Sequence, residues 1–332
     1  MKTFLKISFS AILIGAIIWI LGGIHEVVSQ ITQINPIYIV PIVALALIDR
    51  GLMAYKWCFL LRSQGIRLPF IHGMIIYCAS TIWGMFLPTT LGSDAIRAYS
   101  TSKTGIDSKE VVASIIVERF IGFFSSLILA ILGLCLLTVL GNLGDLVIIA
   151  WFLASSMFLG AVFLFVVSVN QRAFVLFHKG VVRGFKNHRI TEKLREFHET
   201  YRSFTYHRKS LVTVFGLTFI EQFLPIIDIW LVARGLGIEV GVLYFAAALP
   251  LALLIMRLPV SIDGIGVFEG MFVLLMSLAG LSVAQATAIA VVSRILTTLM
   301  YIPLWFTYVV FYRTRGILEQ STKVELTNGK RL

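Results

Sequence analysis

The feature that most constrains this chain is a succession of apolar runs, most of them long enough to cross a bilayer. They fall near residues 7–24, 37–61, 69–88, 111–140, 146–169, 211–233, 240–258, 265–280 and 284–312. A hydrocarbon core takes about 20 helical residues. Backbone facing lipid must satisfy its own hydrogen bonds, which leaves helices or closed barrels. The runs show no strand-like alternation. The expected fold class is therefore an all-α polytopic integral membrane protein, with about eight transmembrane helices plus broken or re-entrant helices. Composition agrees: 58% of the residues are hydrophobic and only 14% charged, whereas soluble domains carry about 25% charged residues.

The loops set an orientation. No Lys or Arg occurs in 25–36 or in 141–145, whereas 62–68 holds Arg62 and Arg67, and 170–210 holds ten basic residues against Glu192, Glu196 and Glu199. Basic loops stay on the cytoplasmic side, which places both termini, 62–68 and 170–210 inside a cytoplasmic membrane. Residues 69–110 must then cross an even number of times. The return leg, Thr89 to Arg97, is too polar to face lipid and must line a cavity, re-enter or pack inside protein. The run following Met1-Lys2-Thr3 lacks a convincing cleavage site and is expected to be a retained span. One transmembrane domain over 1–315 and a cytoplasmic tail over 316–332 follow. Within 170–210, Leu194, Phe197, Tyr201 and Phe204 share one helical face amid basic residues. That pattern reads equally as an amphipathic helix on the inner leaflet and as a solvated, topology-setting charge run.

Two stretches resemble each other. Leu87-Pro88-Thr89-Thr90-Leu91-Gly92 is followed by Gly105, Ala113 and Arg119; Leu258-Pro259 through Gly264 is followed by Gly280, Ala288 and Arg294. The spacing from glycine to arginine is the same in both. The orientation above makes the repeat inverted. Pro and Gly interrupting corresponding apolar spans mark the midplane site of many secondary transporters. Breaks are expected at Pro88, Gly92, Pro259, Gly264 and Gly266, because Pro removes a helix donor and Gly permits sharp turns.

Ionisable groups fall inside the apolar runs: Asp49, Arg50, Lys56, Glu118, Arg119, Glu221, Asp228 and Arg294, with Asp94, Arg97, Asp263 and Glu269 in the broken segments. Each central charge costs roughly 2.5–3.5 kcal/mol on insertion scales. These groups must face one another or a wet cavity. Helical periodicity sets Glu118 with Gly122 and Ser125, Arg294 with Thr287, Ala290, Thr297, Thr298 and Tyr301, and Glu221 with Thr218, Pro225 and Asp228. Two readings follow, structural ion pairs that fix helix register or a substrate and proton pathway, and they are compatible. In the second, Arg119 and Arg294 receive phosphate, and carboxylates take an amine or protons, with Glu118, Glu221 and Asp228 as candidate carriers.

Other chemistries lack their motifs. There is no phosphate-binding Gly-x-x-x-x-Gly-Lys-Ser/Thr loop, no Gly-x-Ser-x-Gly and no His-Glu-x-x-His, so no ATP-driven engine, hydrolase or zinc centre is indicated. The histidines form no ligand spacing, and Cys58, Cys78 and Cys135 form no metal or redox pattern. No cofactor, metal or catalytic residue is expected. The net charge of +11 sits in the loops, which points to anionic lipid head groups rather than nucleic acid.

The segment Leu87 to Arg97 with Gly105 and Glu118-Arg119, and the segment Leu258-Pro259 through Gly264-Ile265-Gly266-Val267-Phe268-Glu269-Gly270 with Arg294, resemble the flippase-like transmembrane domain of the lysylphosphatidylglycerol synthase family. The resemblance covers roughly 1–315. It implies a bundle with re-entrant helices that moves aminoacylated or glycosylated lipids between leaflets. It carries the family's polar positions onto Asp94, Arg97, Glu118, Arg119, Glu269 and Arg294; Glu221 and Asp228 are added by burial alone. Fused members carry a soluble aminoacyl-transfer domain that this sequence does not contain. The leading expectation is a lipid flippase or lipid-linked-precursor transporter whose partners are anionic or zwitterionic membrane lipids. The alternatives are a membrane enzyme modifying a lipid, with Asp94, Glu118 and Glu269 as acid, base or metal ligands, and an accessory subunit docking a partner at 170–210.

Overall fold

A computed structural model describes residues 34–85, 92–103, 106–140, 146–169, 203–256 and 264–328. The apolar run 7–24, Pro88, Pro259, Asp263 and most of 170–210 lie outside the described residues. All regular structure among the described residues is helical: α1 (Pro36–Ser63), α2 (Phe70–Met85), α3 (Gly92–Ser102), α4 (Ser108–Val139), α5 (Leu146–Val169), α6 (Arg208–Glu221), α7 (Leu224–Gly235), α8 (Val242–Met256), α9 (Val267–Leu278) and α10 (Val283–Asn328), with a 3-10 turn at Phe204–Tyr206.

Among the described residues, four stretches are long and apolar enough to cross a membrane: Pro36–Ser63, Ser108–Val139, Arg208–Gly235 and Val283–Pro303. Shorter apolar helices occupy Phe70–Gly84, Ala154–Phe163, Val242–Met256 and Val267–Leu278. The run 211–233, expected as one span, is divided at Gln222–Phe223 into α6 and α7, where Pro225 enters the first turn of α7. With 12 residues, α9 rises about 18 Å, well short of the ~30 Å hydrocarbon layer; it is the half-helix expected from 265–280.

Local chemistry fixes the helix ends. The Asn35 side chain accepts from the Ile37 N–H at 3.1 Å and Pro36 opens α1. Asp107 accepts from the Lys109 N–H at 2.9 Å to open α4. Both satisfy amides that the helix itself leaves unpaired. At the second expected break, Gly264 and Gly266 take positive φ of 68° and 80°, a region open to glycine. Gly92 is the first residue of α3 rather than a left-handed turn.

The repeat extends further than its motifs. Pro36–Ser63 and Arg208–Gly235 are each 28 residues, displaced by 172 positions (208 minus 36). The same displacement carries the start of α2 onto that of α8, at 70 and 242. A displacement of 175 (267 minus 92) carries α3 onto α9 and, from 108 to 283, the start of α4 onto that of α10. Each half is thus a long helix, a short apolar helix, a half-helix and a second long helix, with α5 between the halves. The inversion is visible where the halves meet. Asn35 N–H donates to the Gly235 carbonyl at 2.9 Å, Lys56 pairs with Glu221, and Gln64 lies 3.4 Å from the His207 ring nitrogen. Rising numbers on α1 meet falling numbers on α6–α7, so corresponding helices run antiparallel.

Packing follows the same pseudo-twofold. α4 packs on α8 as α10 packs on α2, and α2–α3 mirrors α8–α9. The largest apolar cluster joins Phe245, Leu249 and Phe272 in the second half to Leu134 and Leu137 of α4. The α4–α8 crossing is close: a β-carbon on Gly133 would lie 2.6 Å from the Ala247 carbonyl oxygen, whereas one on Gly160 would meet nothing within 4 Å. Gly133→Ala is therefore expected to destabilise the purified protein by about 1–3 kcal/mol through overpacking. Gly160→Ala should leave thermal unfolding in detergent unchanged or raise its midpoint. Equal midpoints for the two variants would contradict this packing.

Candidate functional site

The ionisable residues inside the apolar runs collect around two adjoining cavities. One, of about 310 Å³, is lined by Lys56, Asp94, Arg97, Glu118, Arg119 and Glu221, among others. The other, of about 320 Å³, is lined by Asp49, Asp228, Arg294, Thr297, Thr298 and Tyr301, among others. Arg50, Thr81 and Met256 belong to both walls. The structure thus brings Asp94, Arg97, Glu118, Arg119 and Glu221 to one chamber, and Asp228 and Arg294 to the next. The helical faces expected for Glu118 and Arg294 line them in part: Gly122, Thr297, Thr298 and Tyr301 do, whereas Ser125, Thr287 and Ala290 are buried and line neither.

In the first cavity α3 stands beside α4. Arg97, only 4% exposed, places Nη1 2.8 Å from Glu118 Oε2 and Nη2 3.4 Å from Asp94 Oδ1. Its guanidinium lies over the rings of Trp57 and Tyr77, at 4.9 and 4.6 Å from their centroids. Two aromatic faces and two carboxylates together replace the hydration that burial removes. The Tyr77 hydroxyl donates to Glu118 Oε1 at 3.3 Å, and Trp57 Nε1 donates to Ser114 Oγ at 3.1 Å. Arg119, the most exposed of these cations, pairs with Asp94. Across the chamber Lys56 pairs with Glu221 and donates to Thr218 Oγ1 at 3.1 Å.

In the second cavity Arg294 pairs with Glu269. Glu269 also accepts from the Gly266 N–H at 2.6 Å, so one buried carboxylate both holds the arginine and closes the first turn of the half-helix α9. Asp94 to Arg119 and Glu269 to Arg294 are each separated by 25 residues. The repeat thus reproduces an ion pair between half-helix and long helix in each half. Arg50 donates to its neighbour Asp49 at 2.6 and 2.9 Å and lies 5.4 Å from the centroid of the Tyr301 ring.

Arg119 and Arg294, both expected to receive phosphate, do not share a chamber, and each leans on its own carboxylate. Sequence reasoning placed Asp49, Arg50 and Lys56 inside a span but left them out of the site, and it passed over Trp57 and Tyr77. The displacement of 172 would have found the first group, since it carries Asp49 onto Glu221 and Lys56 onto Asp228. Nothing local in the sequence marks Trp57 and Tyr77 as an arginine cage. Among the described residues, no group of three or more His, Cys, Asp and Glu side chains is arranged to hold a metal ion.

A family sequence model described as "Lysylphosphatidylglycerol synthase TM region" matches residues 4–304. Two archaeal proteins are similar along most of their length. A "UPF0104 membrane protein" of Methanothermobacter thermautotrophicus is 26% identical over 312 residues, covering 89% of this chain and 91% of that protein. A second protein of that description, from Methanocaldococcus jannaschii, is 21% identical over 288 residues, covering 84% and 85%.

The Lys56–Glu221 pair gives a direct test of the site's electrostatics. Lys56→Met alone leaves Glu221 buried without its cation and is expected to cost about 3–5 kcal/mol. Adding Glu221→Leu should recover most of that loss. Unfolding of the two single variants and the double variant in detergent measures the coupling. A double variant no more stable than the singles would contradict the pairing.

Proposed function

The chain belongs to the lysylphosphatidylglycerol synthase transmembrane-region family, and from that premise we propose that it passes a lipid, or a molecule linked to one, between the leaflets of the cytoplasmic membrane. The observation that carries this reading is the pair of adjoining polar chambers, each lined by residues from both halves of an inverted repeat. Half-helices at corresponding positions and a polar site between repeats are the recurring parts of alternating-access transporters. A head group moves through the chambers while its acyl chains remain in hydrocarbon.

The lining suits an anionic or zwitterionic head group. Arg119 and Arg294 each hold one carboxylate and are the more exposed members of their pairs, with side chains 43% and 25% exposed. A guanidinium carries five donors, so it can take a phosphate while keeping its carboxylate. Arg97, enclosed between Trp57 and Tyr77, acts as the support that sets Glu118 and Asp94 rather than as a ligand. The process is transport, with no bond made or broken and no cofactor. Both termini and the basic segment 170–210 face the cytoplasm, where anionic lipid attracts it.

Reconstitution tests this. Vesicles containing the full chain and labelled anionic, zwitterionic or aminoacylated lipids are expected to exchange at least one class between leaflets faster than empty vesicles. Arg119→Ala and Arg294→Ala should each bring exchange to the empty-vesicle rate while the protein still inserts. Undiminished exchange with both arginines removed would contradict the site assignment, and a covalently altered lipid product would favour an enzyme instead.

A further inference from the structure

The repeat makes the two chambers comparable residue by residue, and the comparison exposes one place where charge does not balance. Arg97 and Glu118 of the first half correspond, at a displacement of 175, to Phe272 and Ser293. Trp57 and Tyr77, which cage Arg97, correspond at 172 to Ile229 and Leu249. Phe272, Ile229 and Leu249 pack in one apolar cluster. A buried ion pair and its cage have thus been replaced together, which keeps the second half neutral at this position.

The Lys56–Glu221 pair has no such clean counterpart. Its image under the repeat is Asp228 with Asp49: Lys56 becomes Asp228, and Glu221 becomes Asp49. α1 and α6–α7 are packed antiparallel, so the image falls on the same helix pair, one chamber along. Both aspartates line the second cavity and repel each other across it. Asp49 is 8% exposed. Its Oδ2 is held by Arg50, while its Oδ1 is buried with no hydrogen-bond partner. Asp228 Oδ1 is likewise buried and unpartnered among the described residues.

The other groups facing this pair do not neutralise it. From α1 come Asp49 itself and Arg50, from α2 Thr81 and the nearby Cys78, and from α10 Arg294 and Tyr301; α8 contributes only apolar side chains. Arg50 is matched by Asp49, and Arg294 by Glu269 of α9. Among the described residues, Asp228 is left without a counter-charge. In the first chamber, by contrast, Lys56, Arg97 and Arg119 stand against Glu221, Glu118 and Asp94.

We infer that Asp49 and Asp228 hold one exchangeable proton between them, taken from and returned to water in the second chamber. Two facing carboxylates in a low-dielectric setting do not both ionise, and the pair titrates as a unit. A metal cation fits less well: Arg50 already lies on Asp49, and among the described residues no group of three or more His, Cys, Asp and Glu side chains is arranged to hold one. Glu118 and Glu221, the other candidate carriers, stand in the first chamber, where Lys56, Arg97 and Arg119 face as many carboxylates. If the chain moves lipid as proposed above, this proton is the ion available for coupling; the proton site itself does not rest on that reading.

A hydrophobic carbodiimide reacts with protonated carboxyls and tests this without any transport assay. Purified full chain in phospholipid vesicles is treated with dicyclohexylcarbodiimide and mapped by peptide mass spectrometry. The expected adduct falls on Asp228 or Asp49 and declines by at least about fivefold from about pH 6 to about pH 9, because the deprotonated pair is inert. Asp228→Asn, neutral and nearly isosteric, should abolish labelling at both positions, since it removes one of the two facing carboxyls. Three results would overturn the inference: no adduct on either aspartate of the wild-type chain, a yield independent of pH, or an adduct persisting on Asp49 in the variant. The wild-type result decides the matter even if the variant fails to fold. A chain that moved no lipid would defeat the flippase reading and leave this labelling result intact.

Discussion

Ionic side chains in hydrocarbon are the constraint on which this architecture depends. An isolated charge at membrane depth raises the cost of insertion by a few kcal/mol, and this chain places many of them there. The fold answers by giving each cation a carboxylate from a different helix wherever it can. Arg97 reaches Glu118, Arg119 reaches Asp94, Lys56 reaches Glu221 and Arg294 reaches Glu269. These pairs tie half-helices to long helices and one repeat to the other, so the electrostatics also set helix register.

The repeat explains how such a network is kept consistent. Antiparallel packing of α1 against α6–α7 sets Lys56 against Glu221 and carries their images, Asp228 and Asp49, to the same helix pair, so a change in one half alters the surroundings of the other. Where Arg97 and Glu118 give way to Phe272 and Ser293, the aromatic cage gives way as well and an apolar cluster forms. Where Lys56 gives way to Asp228, nothing compensates within the described residues. An account based on structure alone would treat every buried charge as a register device. The uncompensated position singles out one place where the protein departs from that role.

Much of this was legible in the sequence, and for identifiable reasons. Span length and the lack of alternation fixed the helical class, because lipid permits few alternatives. The glycine-to-arginine spacing revealed the repeat, and the two arginines that end it, Arg119 and Arg294, each pair with a carboxylate of the half-helix before them. The identity of the partners was not legible. Arg119 and Arg294 read as receivers of phosphate, and each also folds back 25 residues to a carboxylate of the half-helix before it. That pairing depends on how α3 and α9 return toward α4 and α10, which no local periodicity encodes. The repeat's extension to 36–63 and 208–235 was also hidden, because those helices share length and charge positions rather than a motif.

The central claim is that both chambers are open to water within an otherwise lipid-facing bundle. Thiol accessibility tests it most directly. In a background with Cys58, Cys78 and Cys135 replaced, cysteines at Thr81, Ser93 and Thr297 line the chambers, whereas Leu274 and Leu299 are half exposed on the outside of the bundle. The account predicts that a charged, lipid-insoluble thiol reagent modifies the three chamber positions in intact membranes and leaves the two outer positions unreacted. Chamber cysteines as inert as those at Leu274 and Leu299 would contradict it.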